Sequence, residues 1–136
     1  MIRAVIDTNV LVSALLSPSG NEALIVLAIA QDKIIPCLPD EILLEYESVL
    51  LREKFSFPRD EVDALIWLLH QKGRFVVPDS ARVGLADLDD EKFVACARVA
   101  GADFLVTGNR RHFPPDRCGV TVVNAAELLN YMTHDY

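Results

Sequence analysis

Arg3-Ala4-Val5-Ile6-Asp7-Thr8-Asn9-Val10-Leu11 is a short apolar run that stops abruptly at a carboxylate and then changes period. Residues 3–6 read as a buried strand ending at Asp7. From residue 8 to 17, Val10, Leu11, Ala14 and Leu15 recur at helical spacing, until Ser17-Pro18-Ser19-Gly20 breaks the pattern. A strand that runs straight into a helix is the opening of an α/β unit, and the rest of the chain repeats that alternation.

Working outward, a second helix is predicted over Asn21–Gln31 and a second strand over Lys33–Cys37. Pro39-Asp40-Glu41 opens a third helix reaching Lys54, its first-turn acids favourable to the helix dipole. Ser56-Phe57-Pro58 ends it. A fourth helix follows to Gln71, with Gly73 as its cap, and Arg74–Val77 is the third strand. After a polar, acid-rich connection over 80–89, a helix spans Asp90–Ala100, with Gly101 beyond its end. Asp103–Thr107 and Val120–Val123 are the last strands, separated by a basic, proline-containing loop with room for a helical turn, and Asn124 starts the final helix. Such alternation implies one three-layer α/β/α sandwich over residues 1–136, with a central, mainly parallel five-stranded sheet.

The 136 residues are 51% apolar and carry a formal net charge of −7, from 13 basic and 20 acidic side chains. A charge follows the first two residues, which argues against a signal peptide. The most apolar stretch, Ala23–Ala30, is too short to span a bilayer, which needs about 20 residues. A cytoplasmic protein without membrane association is the expectation. Cys37, Cys96 and Cys118 are odd in number and widely spaced, which argues against a zinc site or a disulfide framework; Cys96 reads as a small buried thiol.

Open parallel sheets bind ligands beyond the carboxyl ends of their strands. This sequence places Asp7-Thr8-Asn9 after the first strand, Thr107-Gly108-Asn109 after the fourth, and Asp87, Asp89 and Asp90 at the start of the helix between them. On the third helix Glu45 borders the apolar arc of Ile42, Tyr46, Val49 and Leu50. No lysine or arginine lies three or four residues away on that helix, and a carboxylate beside a buried face needs a counter-charge. Gathered carboxylates repel unless a cation joins them, and hard oxygen donors select Mg²⁺ or Mn²⁺. Taken singly, Asp7 and Asp90 read equally well as helix caps and Glu45 as a solvated flank; together they are more specific.

Four segments then carry a resemblance. Val5-Ile6-Asp7-Thr8-Asn9-Val10-Leu11, Ile42-Leu43-Leu44-Glu45-Tyr46, Asp87-Leu88-Asp89-Asp90-Glu91-Lys92-Phe93 and Leu105-Val106-Thr107-Gly108-Asn109 resemble, in order, the acidic motifs of PIN-domain nucleases. The likeness is greatest to the toxin components of toxin–antitoxin pairs. It implies Mg²⁺- or Mn²⁺-dependent hydrolysis of single-stranded RNA, with Asp7, Glu45 and Asp90 as catalytic metal ligands. Thr8, Asn9 and Thr107 would support them. The family's fourth acid falls at Asn109, which adds no charge and leaves a second metal to depend on Asp87 or Asp89.

The charge of −7 sits awkwardly with a polyanionic substrate unless a cation neutralises the acidic cluster. Arg110 and Arg111, next to His112, are candidate phosphate grips, and Arg52, Lys54 and Arg59 form a second basic segment. Trp67 sits in a helix apolar on most sides, which suggests packing or a homodimer or higher oligomer; an antitoxin protein is a further implied partner. An aspartyl-nucleophile phosphatase typically has a second aspartate at the place of Asn9, and no GxxxxGK[ST] or GxGxxG follows the first strand. The remaining alternative is a catalytically silent PIN fold acting as an interaction or regulatory protein.

Overall fold

The computed structural model describes residues 1–135. Strand β1 spans Ile2–Ile6, β2 Ile34–Leu38, β3 Arg74–Phe75, β4 Phe104–Val106 and β5 Thr121–Val123. Every pairing is parallel, in the order β3-β2-β1-β4-β5. The helices are α1 (Thr8–Leu16), α2 (Asn21–Ala30), α3 (Asp40–Leu50), α4 (Arg59–Lys72), α5 (Glu91–Ala100), α6 (Pro115–Cys118) and α7 (Ala125–Asp135). They cover both faces of the sheet, giving the expected α/β/α sandwich. The sheet is wholly rather than mainly parallel.

Burial explains the arrangement. Ala4, Val5, Ile6, Leu105 and Val106 are shut off from solvent on the central strands. Such runs, apolar on both faces, need helices above and below. Helix α5 supplies one cover, presenting Phe93, Val94, Cys96 and Ala97 to the core, and it packs on β1, β2 and β4. Helices α1 and α2 pack on each other, and α7 returns onto α2. The three cysteines are free and buried, and burial pushes the Cys96 thiol up to about 12.

Three local expectations are corrected. Helix α3 stops at Leu50, four residues early, because Arg52 turns extended and a 3-10 turn over Glu53–Phe55 replaces the last helical turn, seating Phe55 against Phe57. Strand β3 ends at Phe75 rather than Val77, for it is an edge strand paired only with Cys37 and Leu38. Gly73 follows α4 with extended backbone rather than the left-handed turn of a typical glycine cap. Its need is space: a Cβ there would lie 2.5 Å from the Leu69 carbonyl oxygen and 2.8 Å from Leu38. Gly101 does take the left-handed conformation, at φ 60°.

Among the described residues no single helix is long and apolar enough to cross a membrane; α1 and α2 together have the length and composition but are bent by 105°.

Candidate functional site at the carboxyl edge of the sheet

Strand order reverses between β1 and β4, since the chain moves from β1 outward to β2 and β3 and only then crosses to β4. A crevice opens at the carboxyl ends of two such strands. Asp7 follows β1 directly and donates its backbone N–H to the Val106 carbonyl at 2.9 Å. Thr107, the residue after β4, is fully buried and donates its hydroxyl to Asp7 Oδ2 at 2.7 Å. Its oxygen in turn accepts the Asn109 backbone N–H at 3.0 Å.

Asp7 occupies the N-cap position of α1, yet its side chain makes no capping bond. Asp90 stands just before α5 and likewise caps nothing. Both residues are buried. Burial pushes the Asp7 carboxyl above the ordinary aspartate range; the Thr107 hydroxyl opposes this and the Glu45 charge adds to it. Burial also raises Asp90, helped by the negative charge of Asp87 and opposed by His112. Asp90 Oδ2 is a buried atom with no hydrogen-bond partner; the His112 ring nitrogen comes within 3.2 Å but off hydrogen-bonding line. An unpartnered buried carboxylate oxygen is costly, and a proton, the nearby imidazolium or a bound cation would each relieve the cost.

Asp7, Glu45, Asp87 and Asp90 line a single cleft of about 610 Å³, together with Thr8 and Asn9. The acids named from the sequence are thus brought to one place. They are not drawn onto one point: among the described residues no three histidine, cysteine, aspartate or glutamate side chains form a cluster that could hold a metal. Glu45 explains the gap. Its Oε1 is paired with the Lys92 ammonium of α5, and its Oε2 accepts the Thr8 hydroxyl at 2.6 Å. The counter-charge that helix α3 lacks is supplied by Lys92 of α5.

The remaining residues sort by position. Asp87 accepts the Asp89 backbone N–H at 2.9 Å, capping the 3-10 turn Leu88–Asp90 that presents Asp90. Asn109 is exposed and is absent from the cleft wall. Arg110 pairs with Glu127 of α7 at 2.9 Å, so its charge is engaged away from the carboxylates. Arg111 and His112 line an adjoining depression with Asp87 and Asp89, and Arg52 lines the carboxylate cleft itself.

Three groups escaped the sequence reading. Lys92 lay in the third motif but showed no link to Glu45. Glu91, just inside α5, accepts the Val83, Gly84 and Leu85 backbone N–H groups and so fastens the preceding loop. A third, Tyr46, was assigned only to the apolar arc, yet it donates its buried hydroxyl to the Ile6 carbonyl beneath Asp7. Trp67 is 64% exposed, which removes packing within the chain as its role.

The carboxylates of Asp7 and Asp90 offer the hard oxygen donors that a divalent cation takes, one of those oxygens without a hydrogen-bond partner. A family model described as "PIN domain" matches residues 3–111. No curated protein matches the chain.

Proposed function

The chain belongs to the PIN domain family, whose members are generally nucleases, and on that premise we propose that it is a Mg²⁺- or Mn²⁺-dependent endoribonuclease acting on single-stranded RNA. The observation that carries this reading is the convergence of Asp7, Glu45 and Asp90 on one cleft, with a buried Asp90 oxygen left without a partner. Asp7 and Asp90 would hold the ion, with Glu45 as the third carboxylate of the wall and Asp87 at the rim.

A divalent ion held by Asp7 and Asp90 would supply Lewis-acid stabilisation of charge on a phosphodiester and lower the pKa of water there. The protein's own groups do the rest. Thr107 fixes the direction of the Asp7 carboxylate. Thr8 and Lys92 fix that of Glu45. Arg52 at the cleft and Arg111 beside it are placed to grip flanking phosphates, which position an RNA strand without reading its sequence. The acidic total of −7 is compatible with this because part of it lies at the cleft that would hold the ion.

We further propose that the protein is the toxin of a toxin–antitoxin pair, held in check by an antitoxin protein, and that it self-associates through the face bearing Trp67. The motif likeness supports the first point and the exposed Trp67 the second.

A silent interaction module is the second reading, favoured by Asn109 in place of an acid and by the prior engagement of Glu45. One experiment separates the two. Wild-type protein and Asp7→Asn are incubated with a single-stranded RNA pool, with and without Mg²⁺ or Mn²⁺. The nuclease reading expects cleavage only by wild type and only with metal. No cleavage, together with no Mn²⁺ binding at millimolar concentration, supports the silent module.

A further inference from the structure

We propose that Lys92 is a built-in cation of the site: its ammonium neutralises Glu45, keeps that carboxylate out of the metal's shell, and leaves this chain needing one divalent ion, held by Asp7 and Asp90. The inference rests on the nuclease reading above and assigns the site its metal count.

Both Glu45 oxygens are engaged, one by Lys92 and one by Thr8 at 2.6 Å. Asp7 has one oxygen committed to Thr107. Asp90 Oδ2 accepts no hydrogen bond, although the His112 ring nitrogen lies 3.2 Å from it. Among these three carboxylates, the oxygens not already taken by a lysine or a hydroxyl are therefore found on Asp7 and Asp90.

Position makes the Lys92 pairing informative. Lys92 is the second residue of α5, where the helix dipole disfavours a cation and favours an acid. It is largely covered, with 23% of its side chain exposed, and its Nζ lies 5.7 Å from the centre of the buried Phe93 ring. A lysine held against the dipole in a covered position is kept there by its partner, and that partner is Glu45. Of the six carboxylates that line the cleft, Glu45 alone has a lysine partner, and Asn109 adds no further charge at the end of β4.

Mn²⁺ binding followed by calorimetry and by the loss of the free-ion electron paramagnetic resonance signal tests this without any reference to cleavage. Wild type is expected to take up one Mn²⁺ per chain. Lys92→Met is expected to bind a second Mn²⁺, or to hold the single one more tightly than wild type, because the Glu45 carboxylate is then without its competing ammonium. Lys92→Arg should restore wild-type binding, and the double variant Lys92→Met with Glu45→Gln should lose the gain. Circular dichroism establishes that each variant is folded; should Lys92→Met fail to fold, Lys92→Gln takes its place. Two ions on wild type, or an isotherm unchanged or weakened in the folded Lys92 variant, overturns the proposal while leaving the nuclease reading in place. No Mn²⁺ bound by wild type overturns both.

Discussion

The Thr107 hydroxyl reaches across from the end of β4 to donate to Asp7 Oδ2 at the end of β1, a 2.7 Å bond between residues a hundred positions apart. It spans the place where strand order reverses, so the sheet itself fixes the distance between donor and acceptor. The bond leaves the second Asp7 oxygen available while holding the carboxylate plane.

Replacing Thr107 by Val keeps the shape and removes the donor. The buried Asp7 oxygen is then unsatisfied, a cost of about 1–3 kcal/mol in stability. Burial acts on Asp7 without its main opposing influence, so its pKa rises further. Mn²⁺ affinity should fall about tenfold, as for other groups that orient a metal ligand. Urea denaturation and Mn²⁺ titration check the two effects, and Thr107→Ser should preserve both. Unchanged affinity in Thr107→Val would show that the bond serves only the fold.

Asp7→Asn and Asp90→Asn should abolish metal-dependent cleavage and yet stabilise the metal-free protein at neutral pH. The sign follows from the direction of the shifts. Both carboxylates titrate above the ordinary aspartate range when folded, so the folded chain holds more protons than the unfolded one, and stability falls as pH rises through that interval. Amide side chains remove the penalty. A gain of about 1 kcal/mol corresponds to a melting point higher by about 4 °C. The gain should vanish below the ordinary carboxylate range, where wild type is protonated too. A lower melting point for both variants at pH 7 would contradict the account of these groups.

Metal should act on the same balance from the other side. A ligand that binds only the folded state stabilises by mass action, about 2.7 kcal/mol at a hundredfold excess over Kd. Mn²⁺ is therefore expected to raise the wild-type melting point in thermal denaturation, and chelator to reverse it. Asp90→Asn should show neither response, because it removes the oxygen that lacks a partner. An equal rise in the variant would move the ion elsewhere on the chain.

The alternation of apolar runs with helical periods was enough to read the layers, and the strand ends were enough to bring Asp7, Thr107 and Asp90 to one rim. The reason is that a parallel sheet aligns carboxyl ends whatever the side chains do. Pairings between elements were not legible. Nothing in the spacing of Glu45 and Lys92 shows that α3 and α5 meet over the cleft, nor does Arg110 betray its attachment to Glu127. Helix ends failed where the cause was tertiary: Leu51 and Arg52 suit a helix, but the chain leaves it to seat Phe55 on Phe57.

Glu91 is expected to govern the loop ahead of Asp87. Its carboxylate accepts from the Val83 N–H at 2.7 Å, the Gly84 N–H at 3.2 Å and the Leu85 N–H at 3.3 Å. Gly84 adopts φ 81°, a left-handed conformation that turns its amide toward the acid. The Val83 amide in particular holds Glu91 below the ordinary glutamate range. The stabilisation is thus present above that range and lost as pH falls through the lowered value. Glu91→Gln should speed hydrogen exchange at Val83 and Leu85 at neutral pH, with the amides of β1 unaffected. Unchanged exchange at both would assign the loop's order to other contacts.

Salt dependence distinguishes the arginines that face the cleft from the one that does not. Arg52 lines the carboxylate cleft and Arg111 the depression beside it, whereas Arg110 is held by Glu127. Each phosphate contact to a single strand contributes about 0.7 to the slope of log affinity against log salt. Arg52→Ala with Arg111→Ala should therefore weaken binding of single-stranded RNA at low salt and flatten that slope by about 1.4. Arg110→Ala should leave the slope nearly unchanged, since it removes a charge already neutralised within the chain. Binding measured with a fluorescent RNA in metal-free buffer keeps cleavage out of the comparison. A flattened slope in Arg110→Ala alone would mean that the Glu127 pair opens to receive the strand and that the basic loop after β4, rather than the end of α3, carries it.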